Sequence, residues 1–300
     1  MATLRAPMRS MPQDWFCKTV LQEALDVVDA VEQQRPVPSH DDQHSDLFCV
    51  PRPHRPARES VPHLGLLWDM TATLCTIEPY SQTPSVVSLR ELSRKQLNLH
   101  RQLCKQERDD QRAVAPLWVI SPGVPVSGLA VLSAAPDPEY PVGFYRSGEL
   151  LNLRIVVLSE LPLSSETRLL RLLGPPEMRQ RAREEIAALA PDDPARQPWV
   201  ELIEKLVYLL VKEPDAAKEE EVDMTKLGQE FEQFKSELRR EAAARAKAEV
   251  FLAILSARGV MVNDMVRQKI MACTDLAALD RWTVQAATAT SPADVLAAAA

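Results

Sequence analysis

Two acidic residues stand where a sheet could put them to chemical use. Asp46 opens the apolar run Leu47-Phe48-Cys49-Val50, and Glu78 follows the β-branched run Thr73-Leu74-Cys75-Thr76-Ile77. Short apolar runs bounded by proline predict strands, so Asp46 sits at the entrance of one strand and Glu78 at the exit of another. Carboxylates at strand ends suit a hard divalent cation, because Mg²⁺ takes oxygen ligands and is often held by one or two carboxylates plus water and phosphate. Such a cation lowers the pKa of water and offsets charge on a phosphodiester. Two acids alone are a weak signal, and the plainer reading is that of solvated loop carboxylates. Tyr80, beside Glu78, is placed either to touch a substrate or to pack.

A second set of residues is basic. Arg90, Arg94, Lys95, Arg101 and Lys105 share one stretch of an otherwise acidic chain. They suit either phosphate contacts or a solvated helix face. His40, His44, His54 and His63 share a proline-rich region with irregular spacing. Imidazoles can hold a transition metal, but that spacing also fits a solvated loop. Other chemistries lack their motifs: there is no GxxxxGK[ST] or GxGxxG phosphate loop, no HExxH and no GxSxG elbow.

These groups need elements to hold them. Asp14 to Val28 has helical periodicity, with Phe16, Val20, Leu21, Ala24, Leu25 and Val28 in phase. Gln33 to Ser45 is polar and contains proline, which predicts a loop. Ser85 to Arg108 predicts an amphipathic helix with Ser85 as its cap and Leu89, Leu92, Leu99 and Leu103 as its buried stripe. Leu117 to Ile120, Gly143 to Tyr145 and Leu153 to Leu158 predict further strands. Beyond them the chain turns helical: Ser165–Leu173, Glu177–Leu189, Pro198–Val211 and a long charged segment, Asp223–Arg258. Three short helices follow, over Asp264–Ala272, Asp275–Ala287 and Pro292–Ala299, the last two capped by Thr274 and Ser291. The reading is an α/β fold. A small mixed sheet of three or four strands is flanked by helices and followed by an all-helical C-terminal arm. The expected division is a tail over 1–12, an α/β core over 13–173, a helical extension over 174–214, a long charged helix over 215–259 and a small helical module over 260–300.

Composition narrows the classes. With 46% hydrophobic residues over 300 positions the chain can build a core. A net charge of −7 argues against a generic nucleic-acid coat, though not against a local basic groove. Cys17, Cys49, Cys75, Cys104 and Cys273 form no CxxC pair and are odd in number, which predicts buried thiols and a reducing, cytoplasmic setting. No apolar run is long enough for a membrane span or a signal peptide. Leu227, Phe231, Phe234 and Leu238 step by heptad-like intervals, so the long helix is a candidate seam for a homo-oligomer.

The segment His44-Ser-Asp-Leu-Phe-Cys-Val50 resembles the "ADLV" strand of the Rpn-like family of recombination-promoting nucleases, within the PD-(D/E)XK superfamily. Gln13-Asp-Trp-Phe-Cys-Lys18 is similar to that family's "HDxxFK" opening. Leu64-Gly-Leu-Leu-Trp68, Thr76-Ile-Glu-Pro-Tyr80 and Leu117-Trp-Val-Ile-Ser-Pro122 extend the likeness. Phe251 to Gly259, Ile270 to Asp275, Leu279 to Trp282 and Ala286 to Ser291 resemble the C-terminal module that follows such cores. The resemblance implies a restriction-endonuclease-like core and Mg²⁺-dependent DNA cleavage linked to recombination or mobile elements. Asp46 and Glu78 would be the metal ligands, with the basic helix meeting DNA. The family's Glu-x-Lys lysine falls on Tyr80, and a phenol with an ordinary pKa near 10 is a poor substitute for an ammonium. The competing expectation is a protein that kept the scaffold without catalysis and acts by oligomerisation or partner binding.

Overall fold

The structure, a computed structural model, describes residues 12–37, 43–109, 111–190, 192–212 and 221–286. The chain divides into two compact units, Met1–Gly228 and Gln229–Ala300.

The first unit is built on a mixed sheet of seven strands among the described residues. Its elements run α1 (Pro12–Leu25), β1 (Asp29–Val37), β2 (Gln43–Pro51), α2 (Leu66–Met70), β3 (Cys75–Pro79) and α3 (Val86–Glu107). They continue through β4 (Leu117–Ser121), α4 (Val126–Val131), β5 (Ala135–Pro136), β6 (Phe144–Arg146), β7 (Leu153–Val157), α5 (Arg168–Leu172), α6 (Pro176–Ala187) and α7 (Arg196–Lys212). The strand order is β1-β2-β3-β4-β7-β6-β5. β1, β2 and β3 form an antiparallel meander; β4 then lies parallel to β3, with α3 as the crossover, and β7 lies parallel to β4.

The pattern of burial explains the topology. Every residue of β3 and β4 is buried, as parallel central strands covered on both faces require. On one face α3 packs Leu89 and Leu92 against Leu117, Val119, Leu153, Ile155 and Val157, and Leu99 and Leu103 against Val37 and Phe48. The Ser85 hydroxyl accepts from the Ser88 N–H at 3.1 Å, so the expected cap is in place. The buried stripe of α1 consists of Phe16, Val20, Leu21, Ala24 and Leu25; α7 packs on this helix.

Two expectations are corrected here. The sheet has seven strands rather than three or four. The stretch expected to be a loop, Gln33 to Ser45, contains the end of β1 and the start of β2. β1 is an edge strand with Glu32, Gln33 and Gln34 exposed. Apolar alternation is therefore absent from its middle, and Pro36 is tolerated because an edge strand can lack a ladder donor.

The helices α6 and α7 fall within the first compact unit. The helix α8 (Glu221–Ala257) continues into the second unit, followed by α9 (Asp264–Met271) and α10 (Leu276–Gln285). The core of that unit begins within α8: Ala244, Ala248, Phe251, Leu252 and Leu255 pack with Ile270, Leu279 and Trp282. Asp275, not Thr274, caps α10, its carboxylate accepting from the N–H groups of Ala277 and Ala278. A carboxylate at a helix N-terminus also meets the positive end of the dipole. The helix expected over Pro292–Ala299, with Ser291 as cap, lies outside the described residues. Of the stripe expected to seat a second copy, Phe231, Phe234 and Leu238 are already buried in the single chain, and the side chain of Leu227 lies outside the described residues. All five cysteines are free thiols, four of them buried. Among the described residues no helix is long and apolar enough to cross a membrane.

Candidate functional site

Asp46 and Glu78 stand on neighbouring strands, where β2 runs beside β3. Leu47 pairs with Ile77 in the antiparallel register. One residue further, the ladder gives way to a side-chain contact: the Asp46 N–H donates to Glu78 Oε1 at 3.1 Å. The Ser45 hydroxyl donates to the same oxygen at 3.2 Å. A third donor comes from above the sheet, where Lys95 Nζ of α3 lies 2.7 Å from Glu78 Oε1. Lys95 also donates to the His44 carbonyl at 2.8 Å, which ties α3 to β2. Asp46 has its own cation, Lys18 Nζ of α1, at 2.8 Å from Oδ1. Gln34 Nε2 of β1 donates to that oxygen at 3.0 Å.

The Glu78 end of the cluster is shielded from water, whereas Asp46 is partly exposed and Gln34 exposed. Glu78 is 3% exposed and Lys18 is 8% exposed. Burial pushes the Glu78 carboxyl up to about 7; Lys95 opposes the shift and the negative charge of Asp46 adds to it.

The arrangement differs from the sequence expectation in two respects. The amine on Glu78 comes from Lys95, which was grouped with the phosphate-binding residues and instead turns inward. Tyr80, which occupies the expected lysine position, packs against the apolar cluster beneath α3. The remaining basic residues, Arg90, Arg94, Arg101 and Lys105, are exposed. At 3.6 residues per turn they fall within an arc of about 60° on the side of α3 away from its buried stripe. Arg101 and Lys105 also line an open depression with Asn98, Gln102 and Gln106.

The histidines do not assemble. His63 is buried edge-on to Trp199 with ring centroids 6.1 Å apart. His44 and His54 are exposed, and His40 lies outside the described residues. Among the described residues no group of three or more His, Cys, Asp or Glu side chains could hold a metal ion. A transition-metal centre therefore does not fit the described residues. Asp46 and Glu78 offer carboxylate oxygens, the donor type a hard cation takes, and each carboxylate already carries a lysine ammonium.

No protein-family model, no curated protein and no solved structure matches the chain.

Proposed function

We propose that the first unit is a divergent Rpn-like, metal-dependent DNA endonuclease. Asp46 and Glu78 would be its acidic pair, and Lys95 would supply the ammonium that position 80 lacks. The observation that supports this reading is the convergence of Asp46 N–H and Lys95 Nζ on Glu78 Oε1. It brings an acid from each of two adjacent strands and a lysine into one cluster, the set of groups implied by the family likeness, with the lysine delivered from a helix instead of a strand. A hard cation, if held by Asp46 and Glu78, would supply Lewis-acid stabilisation of phosphodiester charge. The chain's own residues do the rest. Lys95 adds positive charge beside the place where negative charge develops, Ser45 orients Glu78, and the exposed arginines of α3 hold the phosphate backbone.

A supercoiled plasmid incubated with the protein should be nicked in Mg²⁺ or Mn²⁺ and left intact in EDTA. Asp46→Asn, Glu78→Gln and Lys95→Met should each reduce the rate by about 10² or more while circular dichroism shows the fold retained. Cleavage that persists in EDTA, or that survives all three substitutions, overturns the reading.

One observation favours a second reading, a scaffold retained without cleavage. Lys95 and Lys18 each place an ammonium on one carboxylate. Two such charges can balance the pair without a dication. A wild-type protein that nicks no plasmid and whose melting temperature is insensitive to Mg²⁺ and Mn²⁺ supports this alternative.

A further inference from the structure

We propose that Gln34 is a positioning residue for Asp46, held in place by a strained backbone; the claim rests on Asp46 being a working carboxylate. Gln33 pairs with Leu47 and Arg35 with Ser45, so Gln34 stands opposite Asp46 in the edge ladder. At that point the backbone departs from the strand. Gln34 has a φ of 52°, the left-handed region, in the interior of β1. Non-glycine residues are uncommon there, and glutamine lacks the enrichment shown by asparagine, aspartate and histidine. A strained conformation persists only where its surroundings hold it, and such conformations gather at functional sites.

The side chain gives the strain a purpose. Its amide Nε2 donates to Asp46 Oδ1 at 3.0 Å, the oxygen that also takes Lys18. Holding one oxygen from two directions sets the rotation of the whole carboxylate, as outer partners of a metal ligand do. The neighbouring Gln33 reaches the Gln22 side chain on α1 instead, so the two adjacent amides serve different elements.

The test separates backbone from side chain. Gln34→Gly removes the amide and lets the backbone adopt a positive φ without strain. Gln34→Ala removes the amide and keeps the strain. Mn²⁺ binding to the full chain is measured by titration calorimetry, with Asp46→Asn as the reference and thermal unfolding measured in parallel. Gln34→Gly should bind Mn²⁺ about tenfold more weakly than wild type and melt at or above Gln34→Ala. If it binds as tightly as wild type while Asp46→Asn loses affinity, Asp46 keeps its role and the claim for Gln34 is overturned. A melting point below that of Gln34→Ala also overturns it, because the strain would not exist. If wild type binds no Mn²⁺, or Asp46→Asn binds as well as wild type, both readings fall together.

Discussion

Lys95 Nζ lies 2.7 Å from Glu78 Oε1, the lysine side chain 13% exposed and the glutamate side chain 4%. An ion pair this sheltered costs desolvation on both sides, and its partners depend on each other more than surface pairs do. Lys95→Met should therefore destabilise the protein by about 3 kcal/mol at pH 8, where Glu78 must either take up a proton or stay charged without its cation. At pH 5, where Glu78 can hold its proton, the loss should shrink to about 1 kcal/mol or less. Adding Glu78→Gln to Lys95→Met should recover most of the loss at pH 8. Urea unfolding at the two pH values measures all three variants. A Lys95→Met penalty of equal size at pH 5 and pH 8 would show that packing, not charge, is what the lysine contributes.

The raised pKa of Glu78 makes a separate claim about the metal-free protein. Its carboxyl stands at about 7 instead of 4.5, so the folded state keeps a proton that the unfolded state has released. The contribution to stability is fully present below about 4.5 and is lost as pH rises through about 7. Relative to Glu78→Gln, wild type in EDTA should lose stability across that window, by up to about 3 kcal/mol. Parallel pH-stability curves for the two proteins would contradict the assignment.

Much of this site could be read in the residues, because Asp46 and Glu78 adjoin the apolar runs Leu47 to Cys49 and Cys75 to Ile77, which are buried. The lysines are harder to read, though each leaves a trace. Lys95 stands three residues after Leu92 and four before Leu99, and Lys18 stands three before Leu21 and seven before Leu25. Both occupy positions beside a buried helical stripe. A lysine so placed signals a buried carboxylate partner, whereas grouping Lys95 with its basic neighbours by proximity in sequence concealed it. β1 was missed for a different reason. Its middle is exposed and polar, and it pairs along only one edge, so what places it is tertiary pairing with β2 and not its own pattern. The left-handed backbone at Gln34 has no sequence signature, since glutamine does not favour it.

His63 titrates in the opposite sense. Burial lowers its pKa from 6.5 to about 4, with Glu201 pulling the other way, and it sits in the short turn Pro62–Leu64 against Trp199. The folded state excludes a proton that the unfolded chain accepts. Its contribution is present above about 6.5 and lost as pH falls through about 4. His63 Nδ1 is buried without a hydrogen-bond partner, so His63→Phe, which keeps an aromatic ring beside Trp199, should cost little at pH 8. Between pH 6.5 and 4 the variant should lack a fall of up to about 3 kcal/mol that wild type shows. Chemical unfolding across that range checks it. An equal fall in both proteins would assign the acid sensitivity to other groups.

The exposed face of α3 carries the last prediction. Arg90, Arg94, Arg101 and Lys105 project from one side of the helix, while Lys95 is committed to Glu78. If the four hold phosphates, each contributes to affinity through counterion release and little to sequence preference. Replacing Arg101 and Lys105 by alanine should weaken binding to DNA of any sequence and lower the slope of log affinity against log salt by about 2, one for each lost contact. Replacing all four should lower it by about 4. Lys95→Met should leave that slope unchanged while slowing cleavage by about 10² or more, because its ammonium serves the acid beneath it. Fluorescence anisotropy over a salt series, with two unrelated duplexes, separates these outcomes. A slope that falls with Lys95→Met and stays fixed with the surface variants would move the phosphate path off this face of the helix.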